Sequence, residues 1–354
     1  MAPLLGPYDA LRRIAYLLER SRAGTYRVKA FRGAATTVLA TDPTELRSRA
    51  AAGTLTELPG IGPATDAVIR QSLEGEIPAY LTSLEDRATE PLVAGGLEVR
   101  AALRGDLHTH SDWSDGGSPI QEMVVTAMEL GHDYLVLTDH SPRLTIANGL
   151  SSQRLTKQLG VIDGINSALG LSSGVGLSSG NGGFRLLKGI EVDILDDGSL
   201  DQSAEMLSAL DLRVASVHSK LAMSAAPMTR RMIAAVQNPH TNVLGHCTGR
   251  LVEGERGTRD QSSFDAAAVF EACAAHEVAV EINARPERCD PPDELVALAL
   301  DAGCLFSIDS DAHAPGQLDF QIYGCARAER IGVPLNRIVN TWEMDRLLAW
   351  ANPG

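Results

Sequence analysis

The stretch LRGDLHTHSDWSDG, residues 103–116, decides the fold. Residues 103–109 read as a short strand that runs straight into His108, His110 and, a few residues on, Asp115. His108 and His110 are two apart, so a strand points both imidazoles to the same side. The same construction recurs downstream. Strands are predicted at 133–138, 186–192, 212–217, 242–245, 278–283 and 304–309. Helices predicted at 119–130, 201–210, 228–237, 263–275, 292–302 and 343–351 alternate with them. Strands alternating with helices mean parallel βαβ units. A length of roughly 250 residues, without Gly-x-Gly-x-x-Gly after the first strand, favours a closed barrel over a dinucleotide-binding sheet. The expected fold class is α/β, a (β/α)7 TIM-like barrel.

Chemistry gathers at the carboxyl ends of these strands, the ends that converge on one face of a parallel barrel. They read Thr138-Asp139-His140, Gly189-Ile190-Glu191, Ser216-Val217-His218-Ser219-Lys220, Gly245-His246, Glu281-Ile282-Asn283 and Asp309-Ser310-Asp311-Ala312-His313. Six of the nine histidines lie at such ends, too many for independent accidents. The other three, His132, His240 and His276, read as structural or solvated. Imidazole and carboxylate donors without thiolate suit Zn, Mn or Fe. His108, His110, Asp115, His140, Glu191, His218, His246, Asp311 and His313 are too many for one ion, so two or three divalent ions are expected. Such centres activate water and clamp phosphoryl oxygens, which makes metal-activated hydroxide attack on phosphorus the expected reaction. Glu191 and Asp311 carry the catalytic expectation, with Arg285 and Lys220. Arg285, Arg288, Arg143 and Lys220 follow strand ends and are candidates for binding a substrate phosphate. Asp106, Asp139 and Asp309 are candidates for orienting the imidazoles.

The rest of the chain is of a different kind. At roughly 150 residues per domain, 354 residues allow a barrel plus something small. Residues 1–88 read as helices, 89–102 as a linker and 103–354 as the barrel. The formal net charge of −14 argues against coating of nucleic acid, but it is unevenly spread. Residues 1–104 hold 13 Lys/Arg against 12 Asp/Glu, and residues 105–354 hold 18 against 33. No apolar run approaches the roughly 18 residues of a membrane span. Neither a signal peptide nor cysteine spacing of a metal finger is evident, so a reduced, cytoplasmic protein with no membrane partner is expected. The Gly/Ser-rich tract at 170–183, with GLSSG repeated, reads as a surface loop.

Residues 103–340 resemble the PHP (polymerase and histidinol phosphatase) domain. Its motifs occur here in order: His108/His110, Thr138–His140, Glu191, His218, His246 and Asp311/His313. Ser114-Asp115-Gly116 resembles the form found at the end of bacterial family X DNA polymerases. The resemblance implies a distorted (β/α)7 barrel, a trinuclear metallohydrolase and Glu191 as a bridging carboxylate. Leu58-Pro59-Gly60-Ile61-Gly62-Pro63 looks like a helix-hairpin-helix hairpin, and residues 8–85 resemble the 8 kDa DNA-gap-binding domain of family X polymerases. Glycines let a backbone approach a phosphate closely, so Gly60 and Gly62, with Arg27, Lys29 and Arg32, are candidate DNA contacts. Between the two regions there is no polymerase palm. Val68 stands where eukaryotic relatives carry a Schiff-base lysine, so nucleotide addition and sugar-phosphate lyase activity are not expected. The leading expectation is DNA 3′ end processing in repair, a 3′–5′ exonuclease or phosphodiesterase on gapped or 3′-ended DNA. The alternatives are a small-molecule phosphomonoesterase of the histidinol-phosphatase type and a non-catalytic DNA-binding protein.

Overall fold

The computed structural model describes residues 4–172, 183–254 and 257–352. Residues 173–182 of the Gly/Ser tract lie outside the described residues, while 170–172, expected in a surface loop, end a helix. The chain divides into two compact units, 1–92 and 93–354, each with an apolar core of its own.

The first unit is helical: α1 (Pro7–Arg20), α2 (Thr25–Ala40), α3 (Pro43–Ala52), α4 (Pro63–Leu73) and α5 (Ala79–Ala88). Leu11, Ile14, Ala15 and Leu18 of α1 recur at helical spacing and meet Phe31, Ala34 and Ala35 of α2, all buried. Asp42 caps α3, accepting the N–H groups of Thr44 and Glu45. Gly60 sits at φ +77°, a conformation L side chains resist, in the hairpin that delivers the chain into α4. Thr37 of α2 donates to the Pro59 carbonyl and holds that hairpin in place. Val68 is buried in this core.

The second unit opens with α6 (Leu97–Ala102), inside the stretch read as a linker. Then follow β1 (Gly105–Thr109), α7 (Ile120–Glu129), β2 (Tyr134–Leu137), α8 (Ser152–Ser172), β3 (Arg185–Asp193), α9 (Ala204–Ser208), β4 (Leu212–Ser216) and α10 (Ala225–Val236). The unit ends with β5 (Val243–Leu244), α11 (Ala266–Ala275), β6 (Ala279–Asn283), α12 (Asp293–Asp301), β7 (Phe306–Asp309), α13 (Gln321–Ile331) and α14 (Met344–Ala351). The seven strands pair in chain order, all parallel, with helices around them. All seven expected strands are present.

The barrel is nearly closed, and its distortion has an identifiable cause. Between β7 and β1 the backbone ladder shrinks to one bridge, Thr109 to Ala312. Side chains complete the seam: Asp309 accepts the Leu107 N–H, Asp106 accepts the Ser310 N–H, and the Asn340 and Gln321 amides each reach carbonyls of both strands. Gly105 has no room for a side chain, since a Cβ there would lie 2.2 Å from the Tyr134 ring.

Besides α6, two helices of the second unit were not anticipated, α8 and α13. The apolar positions of α8 are diluted by Gly160, Gly164 and Gly170. The packed face of α13 is built from Gly324, Cys325 and Ala328 instead of large apolar residues, and a Cβ on Gly324 would come within 2.7 Å of Ile308. Small residues at a close helix–strand contact leave little hydrophobic period to read.

Candidate metal centre

The strand ends deliver all nine predicted donors to one cluster. His108 and His110 leave β1 on the same side, and both are fully buried. Glu191, from β3, sits among five imidazoles. Its oxygens lie 3.3 Å from His108 Nε2, 3.6 Å from His110 Nε2, 2.8 Å from His140 Nδ1, 3.1 Å from His218 Nε2 and 2.9 Å from His246 Nε2. Asp311 lies 3.4 Å from His110 Nε2, and Asp115 lies 3.4 Å from His140 Nε2 and 3.3 Å from His313 Nε2. Asp311 adopts φ +51°, a costly backbone state for a residue with a Cβ, and such strain persists where surroundings over-determine it.

Four overlapping groups of donor atoms could each hold an ion. They are His110/Asp115/His140/His313, His108/His110/Asp311, His108/Glu191/His246 and His140/Glu191/His218. The residues fit cations on physical grounds. His108 Nε2, His140 Nδ1, His246 Nδ1, both ring nitrogens of His110 and of His218, and both Glu191 oxygens are buried without a hydrogen-bond partner. Polar atoms left so would cost several kcal/mol in total unless a cation engages them. In the metal-free centre the carboxylates and rings titrate together: against burial, Glu191 raises His108 and takes His140 up to about 10. Burial alone would raise Glu191, yet the imidazoles of His218, His108 and His140 hold its carboxyl well below the usual range. Burial, reinforced by His313 and His140, pushes His110 down to about 3, so its ring is neutral and its lone pair free.

The carboxylates expected to orient imidazoles do something else. Asp139 accepts from the Ser111 N–H, the Ser111 and Ser114 hydroxyls and the Gln158 amide, and so pins the loop that carries Asp115. Asp106 and Asp309 bridge the barrel seam. The residues that reach ring nitrogens are others. Asp193 lies 3.3 Å from His218 Nδ1, Glu281 accepts from His108 Nδ1 at 2.6 Å, and the Arg285 guanidinium donates to His313 Nδ1 at 3.0 Å. The sequence contains Glu281 and Asp193 at strand ends, but only cross-strand geometry shows which ring each meets.

The candidate phosphate binders separate. Arg285 and Arg288 are largely buried at the centre, with Arg285 donating to the Asp311 carbonyl and Arg288 lying 3.3 Å from the Asp311 carboxylate. Arg143 is half-exposed, 3.8 Å from Asp193, and Lys220 is exposed and paired with Asp196. In the helical unit Arg27 and Lys29 are exposed. Arg32 instead turns onto Glu19 through two hydrogen bonds of 2.9 and 2.8 Å. The Gly62 N–H is taken by Thr65 Oγ1.

Comparison with known proteins places this geometry. The family model described as the PHP domain matches residues 106–285, about half the chain. The chain belongs to the PHP domain family. A helix-hairpin-helix domain model matches residues 7–76. The DNA polymerase/3′-5′ exonuclease PolX of Bacillus subtilis is 34% identical over 238 residues, covering 67% of this chain; the chain spans only 39% of the length of that relative. The Escherichia coli protein named probable phosphatase YcdX is 26% identical over 249 residues, covering 66% of this chain and 89% of its own. A histidinol phosphate phosphatase from Lactococcus lactis, solved with zinc, L-histidinol and phosphate, superposes with a TM-score of 0.45 at 17% identity, over 65% of this chain and 94% of its own. The names of both relatives, a 3′-5′ exonuclease and a probable phosphatase, describe hydrolysis of phosphoester bonds. No helix among the described residues is long and apolar enough to cross a membrane.

Proposed function

We propose that this PHP protein removes nucleotides from DNA 3′ ends as a 3′–5′ exonuclease or phosphodiesterase in repair. The observation that carries the proposal is the union, in one chain, of nine converging donors around Glu191 with a helix-hairpin-helix unit. The helical unit docks DNA. Its exposed Arg27 and Lys29 meet phosphates, and the hairpin at Gly60 presents backbone to the duplex.

Two or three divalent ions, Zn, Mn or Fe, held by the nine donors, supply charge to the phosphoryl oxygens and lower the proton affinity of water. Glu191 serves two donor groups at once and is the carboxylate placed to bridge them. Asp311 joins His108 and His110 in a further donor group. Arg285 holds His313 by its Nδ1, leaving Nε2 toward Asp115. Arg285 and Arg288 also place positive charge beside Asp311, where a substrate phosphate would sit, while Arg143 and Lys220 meet phosphate further out on the rim. The five cysteines form no disulfide, which supports a reduced, cytoplasmic setting.

The test is purified protein with Mn²⁺ on a 3′-labelled gapped duplex and, in parallel, on histidinol phosphate. Release of the 3′ label from the strand, abolished in His108→Ala, is the expected result. Hydrolysis of the monoester alone would favour the second reading, a small-molecule phosphatase. The YcdX relative, matched over 89% of its length, favours that alternative, because all nine donors lie in the barrel.

A further inference from the structure

Glu281 lies at the end of β6, fully buried, and neither the motifs nor the donor groups include it. Its hydrogen bonds all run toward residues of the centre. Oε1 accepts from His108 Nδ1 at 2.6 Å. Oε2 accepts the main-chain N–H of His246 and, at 3.2 Å, the Asn283 side-chain amide. The same Asn283 amide nitrogen donates to Asp311 Oδ2 at 3.1 Å. One carboxylate thus joins the donors that follow β1, β5 and β7.

We propose that Glu281 is a positioning residue of the metal centre, fixing Nε2 as the metal-facing nitrogen of His108 and holding His246 and Asp311 around it. The proposal rests on the metal reading above. With Nδ1 engaged by Glu281, His108 has only Nε2 to offer, and that atom is buried, partnerless and aimed at Glu191 and Asp311, 3.3 and 3.9 Å away. The energetics point the same way. A buried carboxylate is expensive unless positive charge faces it. The cationic side chains named around the centre, Arg285 and Arg288, engage Asp311 and His313, not Glu281. The charge directly facing Glu281 is the His108 ring, and a cation held at that ring's Nε2 would add positive charge beside the pair.

The test uses the full chain stripped with chelator and titrated with Mn²⁺ alone against a chromogenic competitor. Glu281→Gln should bind Mn²⁺ 10- to 100-fold more weakly, the range typical of groups that orient ligands. Its metal-free melting temperature should stay near that of the wild type, which a purely structural role would not allow. Glu281→Asp, which keeps the charge, should fall between the two in affinity. Wild-type Mn²⁺ affinity in Glu281→Gln would overturn the proposal. If the variants do not fold, the wild type suffices. In the Zn²⁺-loaded protein with ¹⁵N-labelled histidine, His108 should carry its proton on Nδ1, and a proton on Nε2 would overturn the assignment. A wild-type chain that takes up no Mn²⁺ would sink the metal reading itself, and this proposal with it.

Discussion

At the scale of single residues, donor identity was plain and donor support was not. His108, His110, His140, Glu191, His218, His246, Asp311 and His313 were legible because each lies at or just beyond the end of a predicted strand, and a parallel barrel brings such ends together. Asp139 shows where this reasoning stops. It neighbours His140 in sequence, yet its carboxylate gathers four hydrogen bonds from elsewhere, three of them from the Ser111–Ser114 turn. Replacing it by Ala would strand those donors in a buried site. Each unsatisfied group costs roughly 1–3 kcal/mol, so Asp139→Ala should lose at least about 2 kcal/mol in urea unfolding. It should also loosen Asp115. Elemental analysis should then show metal lost from the Asp115 group before the groups built on Glu191. An Asp139→Ala protein with full metal content and unchanged stability would refute this role.

At the scale of elements, every strand was readable because β-branched and apolar runs end at conspicuous polar residues. Helices α8 and α13 were hidden, one diluted by glycine and the other packed through small residues. In the helical unit the PGIG hairpin was legible, but the state of its partners was not. Arg32 looked like a third phosphate contact beside Arg27 and Lys29. One helical turn further along α2, it instead faces Glu19 and forms an ion pair that is nearly out of solvent. The double variant Arg27→Ala/Lys29→Ala should therefore weaken DNA binding and flatten the log K against log salt plot by roughly 2. Arg32→Ala should instead lower the stability of the helical unit, because it removes two hydrogen bonds from the buried Glu19 carboxylate. Gly60→Ala should cost about 1–2 kcal/mol, from forcing a Cβ into the left-handed region, and should reduce DNA affinity with it. Fluorescence anisotropy on a gapped duplex across a salt series, with melts of the same proteins, separates the three outcomes.

At the scale of the whole molecule, the formal charge of −14 takes on a different meaning. The acidic excess belongs to the barrel, where Asp115, Glu191 and Asp311 stand in the donor groups that could hold cations, while the first 104 residues are near neutral. Metal removal should thus be a barrel event. With Mn²⁺ at a hundred times its dissociation constant, linkage gives about 2.7 kcal/mol of stabilisation per ion. Chelation should lower the melting of residues 93–354 and leave that of residues 1–92, which supply no donor. Acid should destabilise the same unit by a second route. His132 is fully buried and donates nothing to the centre; burial and the neighbouring Arg100 guanidinium hold its pKa down at about 3. Because the folded value lies below the ordinary 6.5, the unfolded chain binds the extra proton first. Stability is then complete above about pH 6.5 and declines as pH falls toward 3, at up to about 1.4 kcal/mol per pH unit. Between pH 7 and 5 this amounts to about 2 kcal/mol from one ring. In the presence of chelator, where the centre's own titration is common to both proteins, His132→Gln should lose that much less stability over the interval, even if it starts lower for want of the Arg100 contact. Parallel stability curves for the two proteins would show that His132 is not held neutral.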